Sequence, residues 1–211
     1  MIPFFEILKL LDFNFSKFIL MEIPKEYVIV DTEYTAWKGS MSRNWSKKGE
    51  HRELVQIAAL KIANNILIDS LNILVKPLYN PILSKYFVDL TGITNQELHI
   101  YGSTLEDSLY SLYKFTNGLF IYSYGNDYSI IYENLKLNKI NKSTYFDWSN
   151  MWIDIRLYFQ SHKIDTDKYT SGTIYKITGK KYNDNRVHNA LWDCKSIYLA
   201  IKYLNIRDLQ K

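Results

Sequence analysis

The order of strand-like and helix-like segments is the feature that most constrains the fold of this chain. Residues 27–30 (YVIV) form a short, mostly β-branched apolar run, which is typical of a buried strand. Two further strand patterns, Leu54–Ile62 and Ile66–Val75, flank an Asn64-Asn65 pair that favours a tight antiparallel turn. Three antiparallel strands, followed by strands that alternate with helices, predict an α/β sandwich around a mixed β-sheet of about five strands, flanked by helices.

The second half of the chain carries the alternating elements. Two capping boxes predict helix starts, Thr94 with Glu97 and Ser103 with Glu106, the second helix running to about residue 117. The elements predicted after them are a strand at Leu119–Ser123, a helix at Asp127–Leu137, a short strand at Tyr145–Trp148, a helix near Met151–Ser161, a short helix capped by Ser171 that ends at Gly179, and a last helix at Asn189–Leu204.

Length and composition describe one globular domain. The 211 residues are 47% hydrophobic and 23% charged, which suits a full hydrophobic core, and no repeat or long linker divides them. We therefore expect a single domain over residues 21–211. The single cysteine, Cys194, excludes an internal disulfide and a cysteine-based zinc site, and fits a reducing compartment, so we expect a cytoplasmic protein.

Residues 1–20 form an apolar N-terminal extension with two open interpretations. Glu6 and Asp12 interrupt the segment, and it lacks the basic region and the cleavage site of a signal peptide. One interpretation is an amphipathic helix that docks on the domain, on a partner or on a second copy of the chain. The other is that translation starts at Met21. The sequence contains no uninterrupted run of about 18 apolar residues, so we expect no membrane span.

Carboxylates stand where the predicted strands end. Asp31 and Glu33 close the first strand, and side chains two residues apart on a strand share a face. Asp127 follows the fourth strand at a helix start, where a plain N-cap is the structural alternative. Strand ends of an open α/β sheet are, however, where ligands gather. Taken alone, each of these signals is weak.

The last predicted helix adds a histidine and a further carboxylate. Asp193 lies at the margin of the apolar stripe of this helix, so its carboxylate is carried toward packed structure and needs a cation or several hydrogen bonds. His188 lies five residues earlier, about 140° away on a regular helix. It must therefore precede the helix if both side chains face one site. A lone histidine is more often a surface residue than a catalyst.

Together the three segments describe a metal site. Hard oxygen ligands without cysteine or paired histidines favour Mg²⁺ or Mn²⁺ over zinc. Four carboxylates and one histidine fit a phosphodiester-cleaving centre with two metal ions. The formal net charge of +4 permits a polyanionic partner without requiring one.

These motifs resemble those of the DEDDh 3′-to-5′ exonucleases of the ribonuclease H-like superfamily, which includes proofreading subunits, oligoribonuclease and ribonuclease T. The three matching motifs are VIVDTEYTAW, YSYGNDYSII and VHNALWDCKSI, and LTGIT matches a further segment common in the family. The resemblance covers roughly Tyr27–Leu204. It implies a ribonuclease H-like fold and the release of nucleoside monophosphates from single-stranded DNA or RNA 3′ ends, and leaves the choice between DNA and RNA open.

The resemblance also implies the roles of the site residues. It implies that four carboxylates hold two metal ions, Mg²⁺ or Mn²⁺, and that His188 deprotonates the attacking water, since histidine is the usual base near neutral pH. The implied ligands are Asp31, Glu33, Asp127 and Asp193. Two alternatives stay open: a catalytically weak nucleic-acid-binding adaptor of the same fold, and a proofreading or processing subunit that docks through its N-terminus.

This chain departs from the family pattern after the first motif. Many members carry a small-residue run there, whereas this chain has Tyr34, Thr35, Ala36 and Trp37, a difference that bears on substrate choice. The substrate-binding candidates are Thr32, Tyr34, Trp37 and Asn126. The following loop mixes basic and aromatic residues, a pattern that suits a single nucleic-acid strand. These residues are Trp37, Lys38, Arg43, Trp45, Lys47, Lys48 and Arg52. The alternative is a solvated loop whose tryptophans pack on the domain.

Overall fold

A five-stranded mixed sheet organises the residues that the computed structural model describes, which are 23–141, 148, 150–182 and 188–208. The strands are β1 (Glu26–Tyr34), β2 (Leu54–Ala63), β3 (Ile66–Leu74), β4 (Ile121–Ser123) and β5 (Trp152–Asp154). They lie in the order β3-β2-β1-β4-β5. β1, β2 and β3 pair antiparallel, whereas β4 pairs parallel to both β1 and β5. The predicted fold class is thereby confirmed.

Helices cover both faces of this sheet. They are α1 (Lys85–Thr91), α2 (Asn95–Tyr101), α3 (Leu105–Thr116), α4 (Asp127–Leu137), α5 (Arg156–Ser161) and α6 (Ala190–Asp208), with 3₁₀ turns at Thr166–Lys168 and Ile174–Thr178. None of the helices in the described residues has the length and apolarity that crossing a bilayer requires.

The alternation of side chains along β1 divides the core into two layers. Tyr27 and Ile29 pack on one face against Cys194 and other residues of α6. Val28, on the opposite face, packs against a layer that includes Leu109 of α3. Successive strand residues point to opposite faces. Asp31 and Glu33, which continue the series of Tyr27 and Ile29, therefore lie on the α6 side, and residue 32 lies on the other.

Local sequence signals account for most of the connections. Asn64 and Asn65 adopt φ values of 49° and 62°, so the predicted tight turn joins β2 to β3 with left-handed residues that asparagine tolerates. The capping box at Thr94 is present, since its side chain accepts from the N–H of Glu97 and the Glu97 side chain accepts from the N–H of Thr94. The helix predicted at Asp127–Leu137 has those bounds.

Two predicted boundaries are wrong for identifiable reasons. Trp152–Asp154 lies within the helix predicted from Met151, but it pairs with β4 as the edge strand, because sheet pairing overrides local helix propensity. The cap of α3 is Thr104 rather than Ser103, because Oγ1 of Thr104 accepts from the N–H of Asp107, whereas the N–H of Ser103 donates to the carbonyl of Leu74 at the end of β3. The predicted extension at 1–20 and most of the predicted strand Tyr145–Trp148 lie outside the described residues.

Candidate active site

Three carboxylates meet where β1 ends against the first turns of α6. Asp31 and Glu33 come from β1, and Asp193 comes from α6. Each offers an oxygen atom, and these atoms lie within 4.8 Å of one another. Asp31 and Asp193 are buried and Glu33 is half-buried. The two-residue spacing on β1 therefore places both of its carboxylates toward the helix that carries the third.

The start of α6 is fixed by hydrogen bonds to the sheet. The backbone N–H of Ala190 donates to Oε1 of buried Gln56 at 3.0 Å. The N–H of Asp193 donates to the carbonyl of Asn189 at 3.0 Å. His188 lies before the helix, as predicted, with a φ of 66°, and its half-buried side chain lines the same cavity as the three carboxylates.

The two oxygens of Asp193 differ in their hydrogen bonds to the described residues. Its Oδ2 accepts from the hydroxyl of Ser171 at 2.8 Å. Its Oδ1 is buried and has no hydrogen-bond partner in the described residues. Ser171 was predicted to cap a helix, but the residue before the 3₁₀ turn is Thr173, and the Ser171 hydroxyl instead reaches Asp193.

Asp127 enters the same cavity from the other side of β1. Its Oδ1 accepts a hydrogen bond from the hydroxyl of Thr32 at 2.6 Å. The N-cap of α4 is Asn126, whose side chain accepts from the N–H of Ser129 at 3.2 Å. Capping of α4 therefore does not account for Asp127. Asp127 lines the cavity without belonging to the set of three carboxylates within 4.8 Å.

Burial and mutual repulsion make the anionic forms of these acids unfavourable. The pKa values of Asp31 and Glu33 are raised well above their usual range, first by burial and then by the charge of Asp193 and the other nearby carboxylates. Burial raises the pKa of Asp127 to about 6, against the Thr32 hydrogen bond. Burial raises the pKa of Asp193 to about 7, against the Ser171 hydrogen bond. A nearby cation reverses such shifts.

The donor set fits a hard divalent cation. All the clustered groups are carboxylates, the ligand type that Mg²⁺ and Mn²⁺ prefer, and no cysteine or paired histidine joins them in the described residues. A buried carboxylate oxygen without a partner is costly unless a cation or a hydrogen bond satisfies it. The Oδ1 atom of Asp193 is such an oxygen. The acidic cluster is therefore suited to binding a divalent metal ion.

The cluster opens into a cavity of about 590 Å³, a volume typical of ligand sites. Trp45 forms part of its wall, with its ring centroid 5.5 Å from that of Tyr34 and its Nε1 donating to the carbonyl of Thr35 at 2.9 Å. The guanidinium of Arg52 lies 5.3 Å from the Trp45 ring centroid. Arg52 also lines the cavity and forms an ion pair with Glu133.

The predicted substrate residues divide between cavity wall and loop. Thr32, Tyr34 and Asn126 line the cavity, whereas Trp37 does not. Trp45 takes the wall position. Further residues that line the cavity were missed by sequence reasoning. They include Tyr86, Tyr124, Tyr169, Thr170 and Ser171.

A comparison with protein families decides which class of protein this site belongs to. The family model described as RNase_T, an exonuclease, matches residues 28–201. The chain belongs to this exonuclease family. The matched range contains all five predicted catalytic positions, and the family resemblance inferred from the motifs is confirmed. A search of curated protein sequences gives no significant match.

Solved structures of exonucleases share the fold. The nuclease domain of 3′hExo, a DEDDh family member bound to rAMP, is 20% identical with a TM-score of 0.66, over 90% of this chain and 94% of that one. A 3′-exonuclease described in 3′-end specific recognition of the histone mRNA stem-loop is 17% identical with a TM-score of 0.67, over 93% of this chain and 71% of that one.

A third relative is a larger enzyme. Exonuclease I of E. coli, in complex with a dA16 oligonucleotide, is 14% identical with a TM-score of 0.62, and the match covers 89% of this chain and 42% of that chain. At these low sequence identities, the similarity to the three solved structures shows the fold alone.

Proposed function

We propose that this exonuclease removes nucleoside monophosphates from the 3′ end of a single nucleic-acid strand, using two divalent metal ions and His188 as general base. The observation that carries the proposal is the buried set of three carboxylates, with oxygens within 4.8 Å, in one cavity with Asp127 and a half-buried histidine. Asp31, Glu33, Asp127 and Asp193 would hold the ions. When bound, the ions supply positive charge that stabilises the phosphorane-like transition state.

The direction of cleavage rests on the relatives and on the cavity. Two of the similar structures are of 3′ exonucleases, and one of them is bound to rAMP, a nucleoside monophosphate. A cavity of about 590 Å³ suits a terminal nucleotide better than a continuous duplex. In the proposed reaction, the water oxygen bonds to the phosphorus of the last phosphodiester. The bond from that phosphorus to the 3′ oxygen of the preceding nucleotide breaks, and this oxygen leaves and takes a proton from solvent.

His188 has the properties that a general base requires. Burial lowers the pKa of His188 below its ordinary value, so the imidazole is neutral at pH 7 and able to accept a proton. Its position before α6, with a φ of 66°, lets the side chain reach the cavity that Asp193 faces from the helix. In the proposed reaction the water proton passes to His188 as the new P–O bond forms.

The cavity wall supports binding of a single strand. Tyr34 and Trp45 present aromatic surface to the cavity, and base stacking on such rings tolerates any sequence. Arg52 is the one Lys or Arg side chain that lines the cavity in the described residues, and we assign it a backbone phosphate. Asn126, the N-cap of α4, lines the cavity. Thr32 acts through Asp127, to which its hydroxyl is bonded.

An end-labelling assay tests the proposal. Purified protein with Mn²⁺ is incubated with single strands of DNA and of RNA that carry a 5′ label, and the products are separated by size. We expect a ladder of labelled products shortened from the 3′ end, strong slowing by a 3′ phosphate, and no cleavage in excess EDTA. The Asp31→Asn variant controls for contaminating nucleases. Cleavage of a circular strand as fast as a linear one would contradict the exonuclease proposal.

A further inference from the structure

A tight turn beside the acidic cluster is closed by hydrogen bonds between its own residues. In the segment Thr170–Thr173, the N–H of Thr173 donates to the carbonyl of Thr170 at 3.1 Å. The N–H of Thr170 donates back to Oγ1 of Thr173 at 2.8 Å. Thr170 and Ser171 line the cavity. The turn is therefore closed by its own hydrogen bonds and does not depend on Asp193 for its conformation.

The turn fits against the carboxylate of Asp193 on two sides. The Ser171 hydroxyl donates to Oδ2 at 2.8 Å. At Gly172, an added Cβ would lie 2.5 Å from Oδ1 and 3.1 Å from Cγ of the same carboxylate. The first distance is essentially never found for a real Cβ atom, and the second is rare. The backbone of Gly172 therefore occupies a place where a side chain would displace the carboxylate.

The turn is also fixed to the helix that carries Asp193. Nε1 of Trp192, the preceding residue of α6, donates to the carbonyl of Gly172 at 3.1 Å. One helical turn further, Oγ of Ser196 accepts from the N–H of Tyr175 at 3.1 Å. Because contacts to α6 lie on both sides of Asp193, the turn and the carboxylate are held as one unit.

We propose that the Thr170–Thr173 turn positions the Asp193 carboxylate for cation binding, with Ser171 as the positioning residue and Gly172 as the residue whose missing side chain makes room. This inference rests on the proposed function, in which Asp193 is a metal ligand. The hydroxyl bond to Oδ2 stops rotation about the Cβ–Cγ bond. It leaves Oδ1, which is buried and has no hydrogen-bond partner in the described residues, as the oxygen that is free to bind a cation.

The Ser171 hydroxyl is tested by Mn²⁺ binding to the metal-free protein, measured by isothermal titration calorimetry. We expect Ser171→Ala to raise the Mn²⁺ Kd by about tenfold, the smaller end of the effects known for residues that orient metal ligands. Ser171→Thr keeps a hydroxyl and should restore the Kd to within about threefold of the wild-type value. At saturating Mn²⁺, the exonuclease rate of Ser171→Ala should recover most of its loss.

The glycine is tested with a matched pair of variants. An added Cβ at Gly102 would lie 2.5 Å from the carbonyl oxygen of Leu98, a clash of the same size outside the cavity. Neither glycine has a φ in the left-handed region, so the clash is the variable that both substitutions share. We expect Gly102→Ala to lower Tm with an unchanged Mn²⁺ Kd, and Gly172→Ala to raise the Mn²⁺ Kd at least as much as Ser171→Ala.

The Asp193→Asn variant separates this inference from the proposed function. If Asp193→Asn keeps wild-type Mn²⁺ binding and exonuclease activity, the proposed function fails. If Asp193→Asn loses both, while Ser171→Ala and Gly172→Ala bind Mn²⁺ like the wild type, the function stands and the positioning role is overturned. Should Gly172→Ala not fold, the Ser171→Ala and Ser171→Thr pair decides the question alone.

Discussion

Two regions of this exonuclease contain buried carboxylates, and they differ in how many hydrogen-bond donors those carboxylates have. Glu53, before β2, is 1% exposed, and its Oε1 accepts from the backbone N–H groups of Leu78 and Tyr79 at 2.7 and 2.8 Å. Its Oε2 accepts from the N–H of Asn80. Fixed backbone donors thus satisfy both oxygens of Glu53, which clamps the segment after β3.

The carboxylates at the end of β1 have few such donors. Asp31, Glu33 and Asp193 crowd together, and an oxygen of Asp193 is buried without a partner. A buried carboxylate with full hydrogen bonding needs no cation, whereas a crowded set with few donors does. The contrast teaches that burial alone does not identify a metal site. The number of internal donors to the carboxylate oxygens does, and the first prediction below tests that distinction.

The largest effect is expected from Asp31→Asn. Because bound metal ions contribute several kcal/mol to the transition state, we expect cleavage to fall by about 10⁴-fold or more. Glu53→Gln is the contrasting variant. It should lose one backbone hydrogen bond and about 1–3 kcal/mol of stability, but keep wild-type activity while folded. Rates on a 5′-labelled single strand, with thermal melts of each variant, measure both. Equal loss of activity in the two variants would erase the distinction between the regions.

The next effect concerns the base. His188→Ala should lower the rate by roughly 10²–10⁴-fold, the usual contribution of a positioned general base. Since burial lowers the pKa of His188, wild-type activity should rise as the imidazole loses its proton, with a midpoint below about 6.5, and the variant should lose this rise. The variant should bind Mn²⁺ as the wild type does. A variant that loses Mn²⁺ binding and keeps the pH profile would make His188 a ligand instead.

A third effect concerns stability without metal. The pKa of Asp193 is about 7 and that of Asp127 about 6 when folded, against about 3.9 in an unfolded chain. Between these values the folded state binds more protons, so the unfolding free energy falls as pH rises. In EDTA we expect Tm to be roughly 3–8 °C higher at pH 6 than at pH 8.

Two comparisons check that interpretation. Asp193→Asn should shrink the Tm difference between pH 6 and pH 8, because it removes one of the titrating groups. Mn²⁺ should stabilise the wild type more at pH 8, where the carboxylates are ionised, than at pH 6. His188, whose pKa is lowered, acts in the opposite direction near and below the ordinary histidine pKa of about 6.5, so the lower pH is kept no lower than 6. A Tm that rises from pH 6 to pH 8 in EDTA would contradict the account.

The smallest effect is expected from one of two arginines of the same loop, which differ in whether their donors are used within the loop. Arg43 donates to both oxygens of Glu50 and to the carbonyl of Lys38, so its donors are used inside the loop. Arg52 lines the cavity. We expect Arg52→Gln to raise KM about tenfold, because a charge-assisted hydrogen bond contributes about 1.5 kcal/mol. It should also reduce the slope of log KM against log salt by about 0.7.

Arg43→Gln is the control for the phosphate contact. It removes the same charge from the same loop and should leave the salt dependence of KM nearly unchanged. If both variants reduce the slope equally, the loop acts through its net charge, and no specific phosphate contact is assigned to Arg52.

The fold and the positions of the acidic residues could be predicted from the sequence more fully than the residues that surround those acids. Strand periodicity and the Asn64-Asn65 turn are local signals, and they located β1 to β3 and the shared face of Asp31 and Glu33. The edge strand β5 was missed because its three residues become a strand only through pairing with β4.

Contacts made at long range were the least visible in the sequence. Ser171 reaches Asp193 across 22 positions, and Gln56 accepts from Ala190 across 134, so no local pattern reveals either. The single amide within the apolar run LVQIAAL was a usable signal for Gln56, since a buried amide needs a partner. Trp37 and Trp45 were indistinguishable in the sequence because the loop conformation alone decides which one lines the cavity.

Titration of metal-free protein with Mn²⁺ in a calorimeter, for the wild type, Asp193→Asn and Glu53→Gln, tests the central claim most directly. The account predicts binding of two ions by the wild type and by Glu53→Gln, and loss of at least one of them in Asp193→Asn. Identical isotherms for the wild type and Asp193→Asn, or no binding by the folded wild type, would contradict the claim that the carboxylates with few internal donors form the metal site.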